Sequence, residues 1–161
     1  MNIERKKPME QLFPESFEAV CNRWEQHIKA FVLQLSDGSI PTLRDMEWTV
    51  EKKRVFVCEP EANGKKKRGA GGPYFSSYTS LNRTASEAVW KKFKQFAKEY
   101  GLNRIERLRS NEKELGWYDF RATDGRTKDE LSCNINLPGE WYEAGIHISM
   151  IIGPRYRNAD L

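Results

Sequence analysis

The chain has 161 residues, of which 39% are apolar, 12% aromatic and 31% charged. This fits one domain with a core and excludes general disorder, and no stretch approaches the ~20 apolar residues that a membrane-spanning helix needs. The net charge of +4 is uneven: residues 1–110 hold 21 Lys/Arg against 14 Asp/Glu, and residues 111–161 hold six against nine, which reads either as ordinary surface charge with one basic loop or as a polyanion-binding N-terminal half.

Met1–Pro8 is charged, and no apolar segment follows it. It does not read as a secretory signal. The expected setting is cytoplasmic, or the cell envelope if a signal has been removed, and residues 1–12 are expected to be flexible. Residues 14–34 predict the first helix. Phe17, Val20, Cys21, Trp24, Ile28, Phe31 and Val32 recur at spacings of three and four and lay one apolar stripe along it. Pro14 suits a first position, Glu25 can pair with Lys29, and Ser36-Asp37-Gly38 ends the helix. His27 reads as a boundary residue.

Residues 47–50 and 54–58 read as two strands or one bent strand, with Glu51-Lys52-Lys53 as the turn between them. Residues 61–72 hold Gly64, Lys65, Lys66, Lys67, Arg68, Gly69, Gly71 and Gly72. With little to bury, they are expected to form a mobile basic loop, dispensable for folding. The loop lacks the Ser/Thr and flanking elements of a phosphate-binding loop. Tyr74, Phe75 and Tyr78 follow in a segment without regular pattern. They either plug a core edge or offer an aromatic contact surface, and Trp141 and Tyr142 do the same beyond a later turn.

The second helix is expected to start at Thr84, as N-cap of a Thr84-Ala85-Ser86-Glu87 capping box. Ala85, Val89, Phe93, Phe96, Ala97 and Tyr100 form its stripe, and Gly101 ends it. Lys91, Lys92, Lys94 and Lys98 fall mostly off the stripe. A short strand over 103–108 precedes three strands, 116–121, 131–137 and 145–152, separated by turns at Asp124-Gly125 and Pro138-Gly139. Gly153-Pro154 should stop the last strand and leave 155–161 as a frayed tail. The whole predicts a single α+β domain over residues 1–161. Two helices pack on one face of an antiparallel sheet that ends in a three-stranded meander.

In the meander, Leu131, Cys133, Ile135 and Leu137 alternate with Ser132, Asn134 and Asn136, so one face is buried and one is wet. With Tyr118, Phe120, Ile146, Ile148 and Met150 inward, the opposite face collects Trp117, Asp119, Arg121, Ser132, Asn134, Asn136, His147, Ser149 and Ile151. Asp119 and His147 could serve as an acid–base pair with Ser132 or Ser149 as nucleophile. No nucleophile elbow or other catalytic spacing supports this, and a flat face rarely provides the concavity that chemistry needs. Cys21, Cys58 and Cys133 are odd in number and widely spaced, so they read as reduced thiols. With two histidines and no CxxC, neither a metal site nor a cofactor is expected.

The order of features resembles the LppA-like family of small bacterial lipoproteins. The matching residues are Trp48, Cys58, Gly71-Gly72-Pro73, Trp90…Ala97…Tyr100-Gly101, Trp117-Tyr118-Asp119-Phe120 and Asp124-Gly125, across roughly residues 15–153. The family's lipidated N-terminal cysteine is absent here. Its closing Gly-Cys is replaced by Gly153-Pro154, so the resemblance implies that Cys58 lacks a disulfide partner. It implies a soluble, non-catalytic relative and names no ligand. The leading expectation is a non-enzymatic binding protein, of the kind that masks a protein partner as immunity proteins do. It would use Trp117, Asp119, Arg121, Asn134, Asn136 and His147 or the aromatic segment Tyr74, Phe75 and Tyr78. The alternative is a nucleic-acid-binding protein using Lys65–Arg68 with Lys91, Lys92 and Lys94. An enzyme comes third.

Overall fold

In the computed structural model, residues 15–139 and 142–161 are described. The expected flexible stretch 1–12 and the contact residue Trp141 lie outside them. Helix α1 spans Phe17–Leu35, with Ser16 as its N-cap: the Ser16 hydroxyl accepts from Ala19 N–H at 3.2 Å. This cap places the start three residues after Pro14. Each apolar residue of the expected stripe is buried. Glu25 pairs with Lys53 at 2.8 Å, across to the sheet rather than along the helix to Lys29.

Among the described residues the sheet has seven antiparallel strands: β1 (Thr49–Glu51), β2 (Arg54–Val57), β3 (Arg68–Ser77), β4 (Arg104–Arg107), β5 (Trp117–Thr123), β6 (Glu130–Asn136) and β7 (Gly145–Arg155). The order is β1-β3-β7-β6-β5-β4, and β2 also pairs with β3. The register runs unbroken from Thr49↔Ser76 to Val57↔Arg68. β1 and β2 are therefore one edge strand, and Lys52-Lys53 is no turn. The interruption falls opposite Gly72-Pro73, where proline has no N–H to give to a ladder.

Two expectations of mobility fail here. Residues 68–72, assigned above to the basic loop, form the first half of β3 between β2 and β7. The glycines mark close approach rather than looseness: a Cβ on Gly69 would sit 2.2 Å from the Phe56 ring. The connection is only residues 58–67, and it is tied down. Tyr156 Oη donates to Glu61, Asn63 Nδ2 donates to Tyr156 Oη, and Lys65 Nζ donates to Asp160 O. Nor is the tail frayed. β7 continues through Gly153-Pro154 to Arg155, Phe17 N–H donates to Tyr156 O, and Asn158 N–H donates to Glu18.

Helix α2 spans Arg83–Glu99. Its N-cap is Asn82, whose side chain accepts from Ala85 N–H at 2.7 Å, so the Thr84 box is not used. The short α3 (Ser110–Glu114) links β4 to β5. α1 lies over β7 and β3, and α2 over β5 and β6. Between helices and sheet, Trp24, Ile28 and Phe31 meet Phe93 and Phe96 above Phe120, Cys133, Ile135, Ile148 and Met150. This is the α+β architecture that the sequence implies, with both helices on one face of an antiparallel sheet closed by the β5-β6-β7 meander. Among the described residues, no helix is long and apolar enough to cross a membrane.

Trp24→Ala and Phe93→Ala should each cost roughly 3–5 kcal/mol, because both rings are enclosed in the layer between helices and sheet. Denaturant midpoints read this directly. Replacing residues 61–72 with a short Gly/Ser linker should abolish the cooperative transition rather than leave it unchanged, since it deletes half of β3.

Candidate functional site

Because strand side chains alternate, the six-strand path turns every second residue to the face opposite the helices. The register aligns these residues into two cross-strand rows. One runs Asp119, Asn134, His147, Ser76, Thr49, and the next runs Arg121, Ser132, Ser149, Tyr74, Glu51. Trp117 lies opposite Asn136 at the end beside the first row. The polar face is therefore broader than the meander. Glu51, Ser76 and Thr49 were missed because they sit on strands remote in sequence. The alternation of Tyr74 and Ser76 with buried Phe75 and Ser77 was their only local signal.

His147 is half-buried. Its Nδ1 lies 2.9 Å from Ser76 Oγ, and its ring meets Tyr78 edge-on at 5.7 Å. Burial holds the imidazole below its ordinary value, so the neutral ring is favoured. Around it is a half-open depression of about 240 Å³, lined chiefly by Glu51, Tyr74, Ser76, Asn134, His147 and Ser149. Asp119 does not line it.

Asp119 is on the expected face but is not free in water. It is 9% exposed and bound to Arg121, with Nη2–Oδ2 at 2.9 Å. That correction changes its role. Truncating Asp119 alone would take the partner from Arg121, whereas replacing both removes the ion pair as a unit. Phe75 is also corrected: its side chain is buried in the core and cannot form a contact surface. Tyr74 lies on the open face and Tyr78 is exposed at its rim. Asn134 is exposed and Asn136 half-buried. Trp117 is exposed and meets Tyr142 edge-on at 5.2 Å.

The catalytic arrangement considered above does not form. Asn134 stands between Asp119 and His147, two strand spacings or about 10 Å apart. Each already has its own partner, and Ser132 faces Ser149 in the next row. The cations considered for nucleic acid are not gathered either. Lys65 is tied to Asp160, near the start of α1 where Asn158 meets Glu18. Lys92 is 3.2 Å from Asp37 and donates to Gln34 O, at the other end of α1. The length of α1 separates them, roughly 24 Å. Lys67 pairs with Glu61 at 3.5 Å, and Lys94 lies over the Trp90 ring at 5.1 Å. Among the described residues, no three His, Cys, Asp or Glu side chains cluster to hold a metal. Cys21, Cys58 and Cys133 are unpaired, and burial pushes the Cys133 thiol far up.

No family model matches the chain, and no curated protein matches it. Among solved structures, it is similar to a DUF4853 family protein from Actinomyces odontolyticus. The TM-score is 0.48 and the identity 11%, over 83% of this chain and 68% of that one.

His147 and His27 are both held below the ordinary value of 6.5, chiefly by burial, with Arg23 adding to the effect at His27. Where the unfolded chain takes up protons that the folded chain refuses, stability falls with pH. The protein should lose stability as pH drops through about 6.5 toward the lower folded values. His147→Gln should flatten this slope in thermal melts across that range. An unchanged slope would show that His147 titrates normally.

Proposed function

We propose that this chain is a non-enzymatic binding protein that presents the open face of its sheet to a protein partner. The observation that carries the reading is the pair of registered rows. Polar side chains from five strands converge on a face that no described helix covers, and Trp117, Tyr78 and Ile151 are exposed around it. Aromatic residues are enriched at protein interfaces, and the polar rows can supply the direct hydrogen bonds that such contacts carry. Residues 111–161, which supply β5 to β7, carry an acidic excess that suits a cationic partner. The LppA-like resemblance supports a non-catalytic role. We extend the reading to a cytoplasmic immunity-type protein that masks its partner by covering it.

The test is affinity capture from cells of the source organism with wild type, an Asn134→Arg/Ile151→Arg variant and a Lys91→Glu control on the helical face. Both changed positions of the double variant are exposed, so folding should move by no more than ~0.5 kcal/mol each. Wild type and control should retain one common protein that the double variant loses, and co-expression should relieve that protein's toxicity. Equal capture by all three would remove the open face as the interface. Retention of mixed oligonucleotides that collapses with salt would instead favour the nucleic-acid reading.

A further inference from the structure

Val55, Phe56 and Val57 of β2 are 48%, 47% and 52% exposed, although they lie in a strand. Among the described residues, β3 is the sole strand neighbour of β2. Cys58 N–H donates to Lys67 O, and the register continues as Phe56↔Gly69 and Arg54↔Gly71. Antiparallel ladders alternate, so residues 54, 56 and 58 spend their backbone groups on β3. Val55 and Val57 aim theirs outward. The opposite sheet edge, β4, is guarded: Arg104 and Glu106 alternate along it and pair at 3.6 Å. β2 lacks such a guard between Arg54 and Cys58.

We propose that the chain forms a homodimer in which β2 pairs antiparallel with β2 of a second copy, joining the two sheets edge to edge. The sequence of the edge is self-complementary, and this is what selects a second copy as occupant. A twofold axis perpendicular to the sheet keeps each side chain on its own face, so only registers centred on one residue are open. Centring on Phe56 places Val55 opposite Val57 of the second copy, and each such pair exchanges both its N–H···O bonds. Phe56 meets its own counterpart in the closer, non-hydrogen-bonded position, each ring covering a Gly69. Lys53 falls opposite Glu59 of the second copy, on the helix side of the sheet, where Lys53 already meets Glu25 at 2.8 Å. Arg54 lies diagonal to the second Phe56 ring, within reach of a cation–π contact. Charge rejects the neighbouring registers. Centring on Val55 sets Val57 against Lys53, and centring on Val57 sets Val55 against Glu59.

Light scattering across a concentration series tests this. Wild type should be a dimer at high concentration. Val57→Pro removes an outward N–H without touching the β2–β3 ladder and should weaken association about tenfold or more. Glu59→Lys, at an exposed position, should weaken it most at low salt. In a Cys58→Ser background, Phe56→Cys should oxidise to a covalent dimer, because the two positions face each other at non-hydrogen-bonded spacing. A monomer at the highest attainable concentration overturns the proposal. So does a dimer that both Val57→Pro and Glu59→Lys leave intact. If deleting residues 1–14 from a monomer exposes the Val55 and Val57 amides to hydrogen exchange, the edge belongs to the N-terminal segment instead.

Discussion

The pairing of β3 with β7 is the contact on which the rest of the molecule depends. The meander with β4 would give a four-stranded sheet, β7-β6-β5-β4. β3 adds the floor beneath α1 and carries the edge strand beyond it. It can do so only because its glycines let other chains come close. Gly69 admits the Phe56 ring, and at Gly72, with φ +107°, a Cβ would lie 2.9 Å from Lys53 Cα. On the other side, Gly153 of β7 lies so near Thr127 O that a Cβ would be 1.9 Å from it. The Asp129 carboxylate then locks the turn to β7, accepting from Gly153 N–H at 2.8 Å and from the Arg155 guanidinium. Asp129 is nearly enclosed, so losing Arg155 would leave a buried charge without its counter-ion.

A second buried cation closes the other end of the core. The Arg107 guanidinium is held by Glu87 of α2 and Glu112 of α3, over the rings of Trp90, Tyr118 and Phe120. The two carboxylates raise its already high pKa further, and in return Arg107 holds Glu87 below the usual carboxylate range. Both Arg107 and Arg155 are spent on fastening elements together. Neither guanidinium is therefore free to meet a polyanion.

What could be read from the sequence follows from the range of each signal. The stripe from Phe17 to Val32 and the alternation from Leu131 to Leu137 are local periodicities, and both report the buried face correctly. The glycine run before Tyr74 was opaque. Its strand character comes from pairing with residues 54–57 and with β7, far along the chain. Composition alone reads glycine as freedom, whereas Gly69 and Gly72 are there to let neighbours in. The start of α2 was misplaced because Thr84 reads as a capping box, whereas Asn82, an equally good cap, is the residue that accepts from Ala85 N–H. On the open face the sequence placed Asn134 and His147 correctly. It could not show that Arg121 bends back onto Asp119, nor that Glu51 and Ser76 complete the depression from the far side.

The proposed binding role draws on the geometry of that face. Its rows draw on β1, β3, β7, β6 and β5, so their spacing is fixed by ladder hydrogen bonds rather than by a mobile loop. Fixed groups lose little freedom on binding, which leaves more of the contact energy for affinity. The acid–base arrangement considered above would need Asp119 and His147 to share a proton and would need water excluded around them. Asn134 keeps them apart, and the depression beside His147 is half open. The neutral imidazole is anchored on Ser76 and flanked by Tyr78, while Asn134 remains exposed to donate and accept. Such a surface can read the shape and hydrogen-bonding pattern of a partner, as the proposed role requires.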